Sequence, residues 1–170
     1  MLPVDKEIQL RPLTDTDKAS IARLLNNKKV SDNLRNIIRH PYTESDAQWF
    51  IDVTKKENPQ LNFGIIYIGQ LCGIIGLSLQ QDVYHQTAEI GYWLGEPFWG
   101  KGIATRAVKL MTDYGFNELD IVRIHTGVFE YNPASMKVLE KNGYHKEGIF
   151  KKSITKHGKL WDEHRYAIIK

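Results

Sequence analysis

The sequence has one cysteine, no long apolar run and little excess charge. The single thiol, Cys72, excludes a disulfide framework within the chain, and its apolar neighbours predict a buried strand residue in a reducing, cytoplasmic setting. No apolar run approaches ~18 residues, and residues 1–6 lack a signal-peptide core, so we expect no membrane span. The net charge of +3, from 23 basic and 20 acidic residues, is too small to favour a nucleic-acid partner.

Motifs for several kinds of catalytic centre are also missing. The six histidines show neither His-x-Glu nor His-Glu-x-x-His spacing, so no metal site is predicted. The sequence contains no Gly-x-Ser-x-Gly elbow and no Cys/His nucleophile pairing. The remaining composition, 42% hydrophobic and 25% charged, is that of a globular chain. A length of 170 residues predicts one domain, residues 1–170, that buries roughly 70% of its unfolded surface.

Hydrophobic periodicity predicts strands and helices along the whole chain. Strands are expected at 8–13, 63–68, 71–79, 87–94, 122–129, 144–154 and 160–169. Helices are expected at 14–27, 31–38, 43–56, 102–118 and 132–143. Thr14 with Asp17, and Thr43 with Asp46, have the spacing of capping boxes, which supports two of these helix starts.

The same pattern predicts the environment of several side chains. Trp49 and Phe50, on the third expected helix, are predicted to lie in the core rather than in a ligand pocket. Five lysines cluster in the last hairpin, where a solvated sheet edge that discourages further strand pairing is expected. They are Lys146, Lys151, Lys152, Lys156 and Lys159.

The most informative segment, residues 96–105, lies between an expected strand and an expected helix. Gly100 and Gly102 allow the backbone to approach a ligand, and free helical N–H groups at such a turn bind phosphate. A Walker loop is excluded because Gly102, not Ser or Thr, follows Lys101. A dinucleotide fingerprint is excluded because Thr105 stands where a third small residue is needed. A tight turn without a ligand is the structural alternative.

Three blocks resemble the GNAT family of N-acetyltransferases, which bind acetyl-coenzyme A. Gly102 and Ala104 match the family's pyrophosphate-binding signature Gln/Arg-x-x-Gly-x-Gly/Ala, although Trp99 replaces its first residue. Residues 132–144 are similar to the Asn-x-x-Ser helix that ends in Gly-Phe or Gly-Tyr. Residues 39–51 resemble the Pro-Tyr-Thr-x-x-Asp-Ala stretch of the ribosomal-protein N-terminal acetyltransferases (RimJ/RimL type). The blocks keep the family order and cover most of residues 7–168.

The resemblance implies an α+β (α/β/α) fold, with a mixed, mostly antiparallel, splayed sheet flanked by helices. It implies acetyl-coenzyme A as the cosubstrate, and no metal. The coenzyme contacts would come from a splayed strand, the glycine turn and the start of the later helix. These residues are Tyr92, Trp93, Leu94, Trp99, Gly100, Lys101, Gly102, Ile103, Ala104, Thr105, Asn132 and Ser135.

Acetyl transfer from a thioester needs a neutral amine, and Glu89 is the candidate base. It lies three residues before Tyr92 on the expected strand, and it could take the amine proton directly or through water. The carboxylate could instead hold a cationic amine in place. A solvated strand glutamate is the structural alternative.

The departing thiolate needs a proton, and Ser135 is the candidate acid. It resembles a serine that some family members place near the coenzyme sulfur, whereas Leu139 occupies the position of the tyrosine that other members use. Asn132 could bond the pantetheine amide or the sulfur. Both residues could instead only cap the helix. Tyr131 and Tyr144 are the reserve candidates.

The identity of the acceptor is left open by the sequence. Arg35, Arg39, His40 and Tyr42 fall in the family's acceptor-binding loop, and with Glu89 they are candidate contacts. A protein N-terminal amine, a polyamine, an amino sugar and an antibiotic are all candidates. Deprotonation near pH 7.4 costs under ~1 kcal/mol for an α-amine and about 4 kcal/mol for a lysine-like amine, which favours the first. The alternative from another class is a non-catalytic acyl-coenzyme A sensor or scaffold. We expect a monomer or homodimer.

Overall fold

A seven-stranded mixed sheet organises residues 7–170, the part of the chain that the computed structural model describes. Its strands are β1 Ile8–Arg11, β2 Asn62–Tyr67, β3 Gln70–Leu79, β4 Thr87–Leu94, β5 Arg123–Phe129, β6 His145–Lys156 and β7 Lys159–Ile169. The order across the sheet is β1-β2-β3-β4-β5-β7-β6, and only the β4–β5 pair is parallel. Residues 1–6, where no signal-peptide core was expected, lie outside the described residues.

Strands β4 and β5 separate partway along their length. They pair through three residues each, Thr87–Glu89 with Arg123–His125. Beyond Glu89, β4 continues beside β3 and β5 continues beside β7, so a gap opens in the middle of the sheet. The expected splayed sheet is therefore confirmed.

Helices cover both faces of the sheet: α1 Lys18–Leu25, α2 Lys28–Ser31, α3 Glu44–Thr54, α4 Ile103–Glu118 and α5 Pro133–Lys141. The inner faces of α4 and α5 pack in one core cluster with β3, β4 and β5. Those of α1 and α3 pack in a second cluster with β2 and β3 on the opposite face. This sandwich confirms the α/β/α arrangement. Within residues 7–170, no helix combines the length and apolar character needed to cross a bilayer.

Local side-chain signals place two helix starts as expected. The Thr43 hydroxyl accepts a hydrogen bond from the Asp46 amide at 3.1 Å, and the Asp46 carboxylate accepts one from the Thr43 amide at 2.8 Å. The Asp17 carboxylate accepts from the Thr14 amide at 2.8 Å and also pairs with Arg11. Both capping boxes are therefore confirmed, and a 3₁₀ turn precedes α1.

The expected helix at 31–38 is wrong. The Asn27 side chain accepts from the Lys29 amide, so α2 begins earlier, and it ends at Ser31. The carbonyls that a longer helix would use have other partners. The Lys156 ammonium donates to the Ser31 and Leu34 carbonyls at 3.1 and 2.7 Å. These contacts help to hold residues 31–36 as a series of turns.

Lys156 also corrects the prediction of a uniformly solvated lysine edge. Strand β6 is the outer strand, and four of its hairpin's five lysines are exposed, as expected. Lys156 is buried instead, with a third acceptor in the Asn36 side chain at 3.0 Å, and burial lowers the pKa of its ammonium group. Its amine links β6 to the turns that precede α3.

Two aromatic residues of α3 differ from the expected core placement. The inward face of α3 consists of Ala47, Ile51 and Thr54, which are spaced at helical intervals. Trp49 lies on another face and is 68% exposed, so its assignment to the core is wrong. Phe50 is partly buried against the second core cluster and also borders a cavity described below.

The single cysteine is an inert core residue, as expected. Cys72 is fully buried on β3, and its thiol donates to the Ile65 carbonyl at 3.1 Å. Burial raises the pKa of this thiol to about 12, so it stays protonated and does not act as a nucleophile.

Candidate active site

Two adjoining cavities open where β4 and β5 diverge. The sheet cleft, about 500 Å³, is bordered by strands β3 to β7 and by residues 33–38. The turn cleft, about 430 Å³, is bordered by residues 98–100 and 102–105 and by one side of α5. Both linings include Asn33, Leu34, Tyr92, Trp93, Asn132 and Ser135. A ligand that extends from one cleft into the other therefore passes these six residues.

The turn before α4 has the conformation of an anion-binding loop. Gly100 and Gly102 have φ angles of +74° and +72°, a left-handed region that favours glycine. A Cβ atom at either position would meet nothing within 4 Å, so the space above the turn is open to a ligand. Gly102 caps α4 without a side-chain hydrogen bond, and the first-turn N–H groups of a helix have no intrahelical partner. The turn thus presents free amides and the positive helix end to the turn cleft.

The structure brings nearly all the predicted coenzyme contacts to this cleft. Lining residues among them are Tyr92, Trp93, Leu94, Trp99, Gly100, Gly102, Ile103, Ala104, Thr105, Asn132 and Ser135. Lys101 does not line it, and its ammonium group lies 5.7 Å from the centroid of the Phe98 ring. Its assignment therefore stays a prediction that this geometry does not support.

Trp99 fixes the turn to the end of β4. Its indole N–H donates to the Leu94 carbonyl at 2.8 Å. A tryptophan at this position thus carries out a structural task, while the neighbouring backbone amides stay available for a ligand.

Ser135 is free to act in the cleft because Asn132 alone caps α5. The Asn132 side chain accepts from the Ser135 amide at 3.3 Å. The Ser135 hydroxyl does not take part in this cap and lies 2.7 Å from the hydroxyl of Tyr92. The two hydroxyl groups form a pair where the sheet cleft and the turn cleft meet.

The Tyr92 side chain is a functional candidate that the sequence analysis missed, since only its backbone was considered. Burial raises the pKa of Tyr92 to about 12, so its phenol stays protonated at neutral pH. Strand alternation could have found it, because Ile90, Tyr92 and Leu94 share the face of β4 that packs in the α4–α5 cluster.

Glu89 and Arg35 meet in the sheet cleft. They form an ion pair whose side chains are 22% and 67% exposed, respectively. Of the other acceptor-loop candidates, Arg39, His40 and Tyr42 line neither cleft. Tyr42 packs against the second core cluster instead, so these three assignments stay predictions without support from the cavities.

Tyr131 and Tyr144, the reserve candidates for the acid, lie away from the place where the two clefts join. The Tyr144 hydroxyl is buried and pairs with that of Thr112 at 2.8 Å, and Tyr131 donates to the Asp32 carbonyl at 2.7 Å. Neither tyrosine lines a cleft. Leu139 is fully buried in the core. Across residues 7–170, no group of three or more His, Cys, Asp or Glu side chains is placed to hold a metal ion.

Comparisons with known proteins agree with this geometry. A family model described as the acetyltransferase (GNAT) domain matches residues 7–145. The chain is 34% identical to the probable N-acetyltransferase YjcK of Bacillus subtilis, over 96% of this chain and 94% of YjcK. It is 29% identical to the putative ribosomal N-acetyltransferase YdaF of the same organism, over 98% and 93% of the two chains. The solved structure of the microcin C7 self-immunity acetyltransferase MccE, in complex with acetyl-coenzyme A and AMP, superimposes with a TM-score of 0.83 at 26% identity, covering 98% of this chain and 94% of MccE.

Proposed function

Because this chain belongs to the GNAT acetyltransferase family, we propose that it transfers the acetyl group of acetyl-coenzyme A to a protein N-terminal α-amine. The observation that carries the proposal is the Ser135–Tyr92 hydroxyl pair, which belongs to the lining that the sheet cleft and the turn cleft share. One cleft has the features of a coenzyme site, and the other can admit an amine. The pair lies where an acetyl group would pass between them.

The turn cleft suits the coenzyme. The amides at Gly102 and the first turn of α4 would bind the pyrophosphate, which a helix N-terminus stabilises. The unpaired edge of β4 beyond Glu89 offers backbone groups to the pantetheine arm, because β5 does not pair with it there. The proposal is supported by MccE, whose solved structure contains acetyl-coenzyme A.

Ser135 is assigned as the proton donor. When the amine nitrogen bonds to the acetyl carbon, the carbon–sulfur bond breaks and the thiolate needs a proton. The Ser135 hydroxyl can supply it because its oxygen is not used by the α5 cap. The same oxygen then takes up the proton that the attacking nitrogen loses as it becomes an amide, so Ser135 ends the step as a neutral hydroxyl. Tyr92 acts as a positioning residue, since its hydroxyl holds that of Ser135 at 2.7 Å.

The amine must reach the carbonyl without its extra proton, and we assign this task to Glu89. The carboxylate lines the sheet cleft and retains one oxygen beside its ion pair with Arg35. A weakly held exposed partner such as Arg35 leaves Glu89 accessible to water, through which the proton can leave. An α-amine, with a pKa near ~8, needs little help from such a base. The name of YdaF, a putative ribosomal N-acetyltransferase, supports the same class of acceptor.

Release of free thiol from acetyl-coenzyme A tests the proposal directly. The wild-type protein is incubated with a tripeptide amide that has a free N-terminus, with spermidine, with an amino sugar and with an aminoglycoside. We expect amine-dependent thiol release, fastest with the peptide. Faster release with another amine would reassign the acceptor. Coenzyme binding without release for any amine would favour the sensor or scaffold alternative.

Glu89→Gln is expected to slow acetylation most at a pH below the pKa of the amine. The amide keeps the shape of the side chain but accepts no proton, whereas at higher pH the amine arrives already neutral. The pH–rate profile of kcat/KM should therefore rise more steeply in the variant and approach that of the wild type at high pH.

The matched control is Glu147→Gln, which removes a carboxylate that pairs with Arg123 outside both clefts. Its profile should follow that of the wild type. A raised KM with unchanged kcat in Glu89→Gln would make Glu89 an amine anchor instead. A pH–rate profile of Glu89→Gln that is parallel to that of the wild type, with unchanged KM, would show that Glu89 is neither the base nor an amine anchor.

A further inference from the structure

Glu163 contributes a second carboxylate to the sheet cleft, and the sequence analysis did not identify it. It lies on β7 opposite Phe129 of β5, and its side chain is 13% exposed. It borders the sheet cleft together with Gly127 and Phe129. The carboxylate thus lies in the part of the sheet where β5 has left β4.

The absence of a side chain at position 127 makes room for this carboxylate. A Cβ atom on Gly127 would lie 2.0 Å from Glu163 Oε1 and 2.4 Å from its carboxyl carbon. Gly127 does not have a positive φ, so the strand conformation itself does not require glycine. The space is therefore used by the Glu163 carboxylate, which crosses over the β5 backbone.

One oxygen of this carboxylate has no protein partner. Glu163 Oε2 accepts from the Arg165 guanidinium at 3.2 Å, whereas Oε1 accepts no hydrogen bond from any residue in the range 7–170. Two cations line the cleft, and both have other partners: Arg35 pairs with Glu89, and Lys156 donates to the 31–36 turns. The Glu163 side chain is mostly buried, but Oε1 keeps some access to solvent in the cleft that Glu163 lines. A carboxylate oxygen that is open to the cleft and has no protein donor favours a cationic ligand.

We infer that Glu163 binds the ammonium group of the acceptor, and that the cleft accepts cationic amines with no carboxylate beside the amine. A free amino acid would bring its own carboxylate next to Glu163, and the two like charges would repel each other. A peptide N-terminus has an amide at that place and avoids this repulsion. The inference rests on the proposed acetyl transfer and assigns Glu163 to binding and Glu89 to proton removal.

Binding to the protein saturated with coenzyme A tests the inference without turnover. The probes are a trialanine amide and its des-amino analogue, in which hydrogen replaces the ammonium group. The wild type should bind the cationic peptide at least about tenfold more tightly than the neutral one. Glu163→Gln should reduce this ratio to about one, while the affinity for the neutral peptide changes little. Glu163→Asp should restore part of the preference.

Gly127→Ala gives an independent test that keeps the charge. The three atoms nearest to the new methyl group are Oε1, Cδ and Cγ of Glu163, at 2.0, 2.4 and 2.9 Å. We therefore expect the Glu163 side chain to move and the strand to stay in place. The preference for the cation should fall in this variant, and the double variant should lose no more than Glu163→Gln alone. Gly148→Ala is the matched control, because a Cβ there meets nothing within 4 Å.

An unchanged preference in folded Glu163→Gln, or additive losses in the double variant, would overturn the inference. The same holds if the wild type binds both peptides equally. Failure of the proposed acetyl transfer can be distinguished from failure of the Glu163 inference. The first appears in the thiol-release assay, and the second appears in these dissociation constants.

Discussion

Replacing Ser135 with alanine is expected to lower kcat about one-hundredfold and to leave the dissociation constant of acetyl-coenzyme A within about threefold. Proton donation by a positioned side chain contributes roughly 10²- to 10⁴-fold in rate. The effect falls on kcat because the thiolate develops its charge only in the transition state. The α5 cap survives, since Asn132 binds the backbone amide of residue 135 and not its hydroxyl. Steady-state kinetics and a coenzyme titration measure the two quantities.

Tyr92→Phe belongs to the same experiment. It removes the hydroxyl that lies 2.7 Å from Ser135 Oγ and keeps the ring in the core. We expect kcat to fall about tenfold, because Ser135 keeps its proton but loses its orientation. The effects of the two substitutions should not add, since Tyr92 acts through Ser135.

A second hydroxyl pair in the core provides the control. Thr112 and Tyr144 lie 2.8 Å apart, and both are buried outside the clefts. Thr112→Val and Tyr144→Phe should each cost about 1 kcal/mol of stability, as a lost hydrogen bond does, and leave kcat unchanged. Wild-type turnover in folded Ser135→Ala would reject Ser135 as the acid. Additive losses in the Ser135→Ala/Tyr92→Phe double variant would show that Tyr92 acts on its own.

Features specified by neighbouring residues were predicted well from the sequence. The Thr43–Asp46 box and the Asn132 cap depend on side chains within three residues of the amides they bind. The turn at Gly102 also depends on local conformation, because a left-handed residue before a helix is a glycine position. The local conformation of the candidate coenzyme turn and of the α5 start was therefore predictable.

Features that depend on contacts between distant parts of the chain were not predicted from the sequence. The stretch 31–38 has helical periodicity, but Lys156, 125 residues away from Ser31, takes carbonyls that the helix needs. Likewise, the Tyr92–Ser135 pair joins residues 43 positions apart. No local sequence pattern encodes either contact, because both depend on the order of the strands in the sheet and on the separation of β4 from β5.

The role proposed for Glu163 in the sheet cleft also could not be predicted from the sequence, because it depends on contacts between distant residues. Its position depends on the β5–β7 register, which places it opposite Phe129 and lets its carboxylate reach Gly127. The sequence shows only a charged residue on an expected strand. The resemblance to a family predicted the kind of reaction, whereas residues that recognise the acceptor required the three-dimensional arrangement.

Replacing Gly102 with valine is expected to abolish the rise in melting temperature that acetyl-coenzyme A produces. A ligand that binds only the folded state at one hundred times its dissociation constant stabilises a protein by about 2.7 kcal/mol. For a chain of this size, that is a rise of roughly 5–10 °C. Gly102 has a φ of +72° at the start of α4, a conformation that β-branched residues strongly disfavour. Valine should turn the local peptide groups and disperse the amides that bind the pyrophosphate.

The strain of valine at a positive φ must be separated from loss of the binding site, and Gly69 allows this. It lies in the β2–β3 turn with a φ of +76°, and like Gly102 it has nothing within 4 Å of a Cβ position. Gly69→Val should therefore lower the melting temperature of the free protein by a similar amount and keep the full coenzyme shift. A full shift in Gly102→Val would remove the glycine turn from the coenzyme site. Loss of the shift in both variants would mean that a general loss of stability, and not the turn, controls binding.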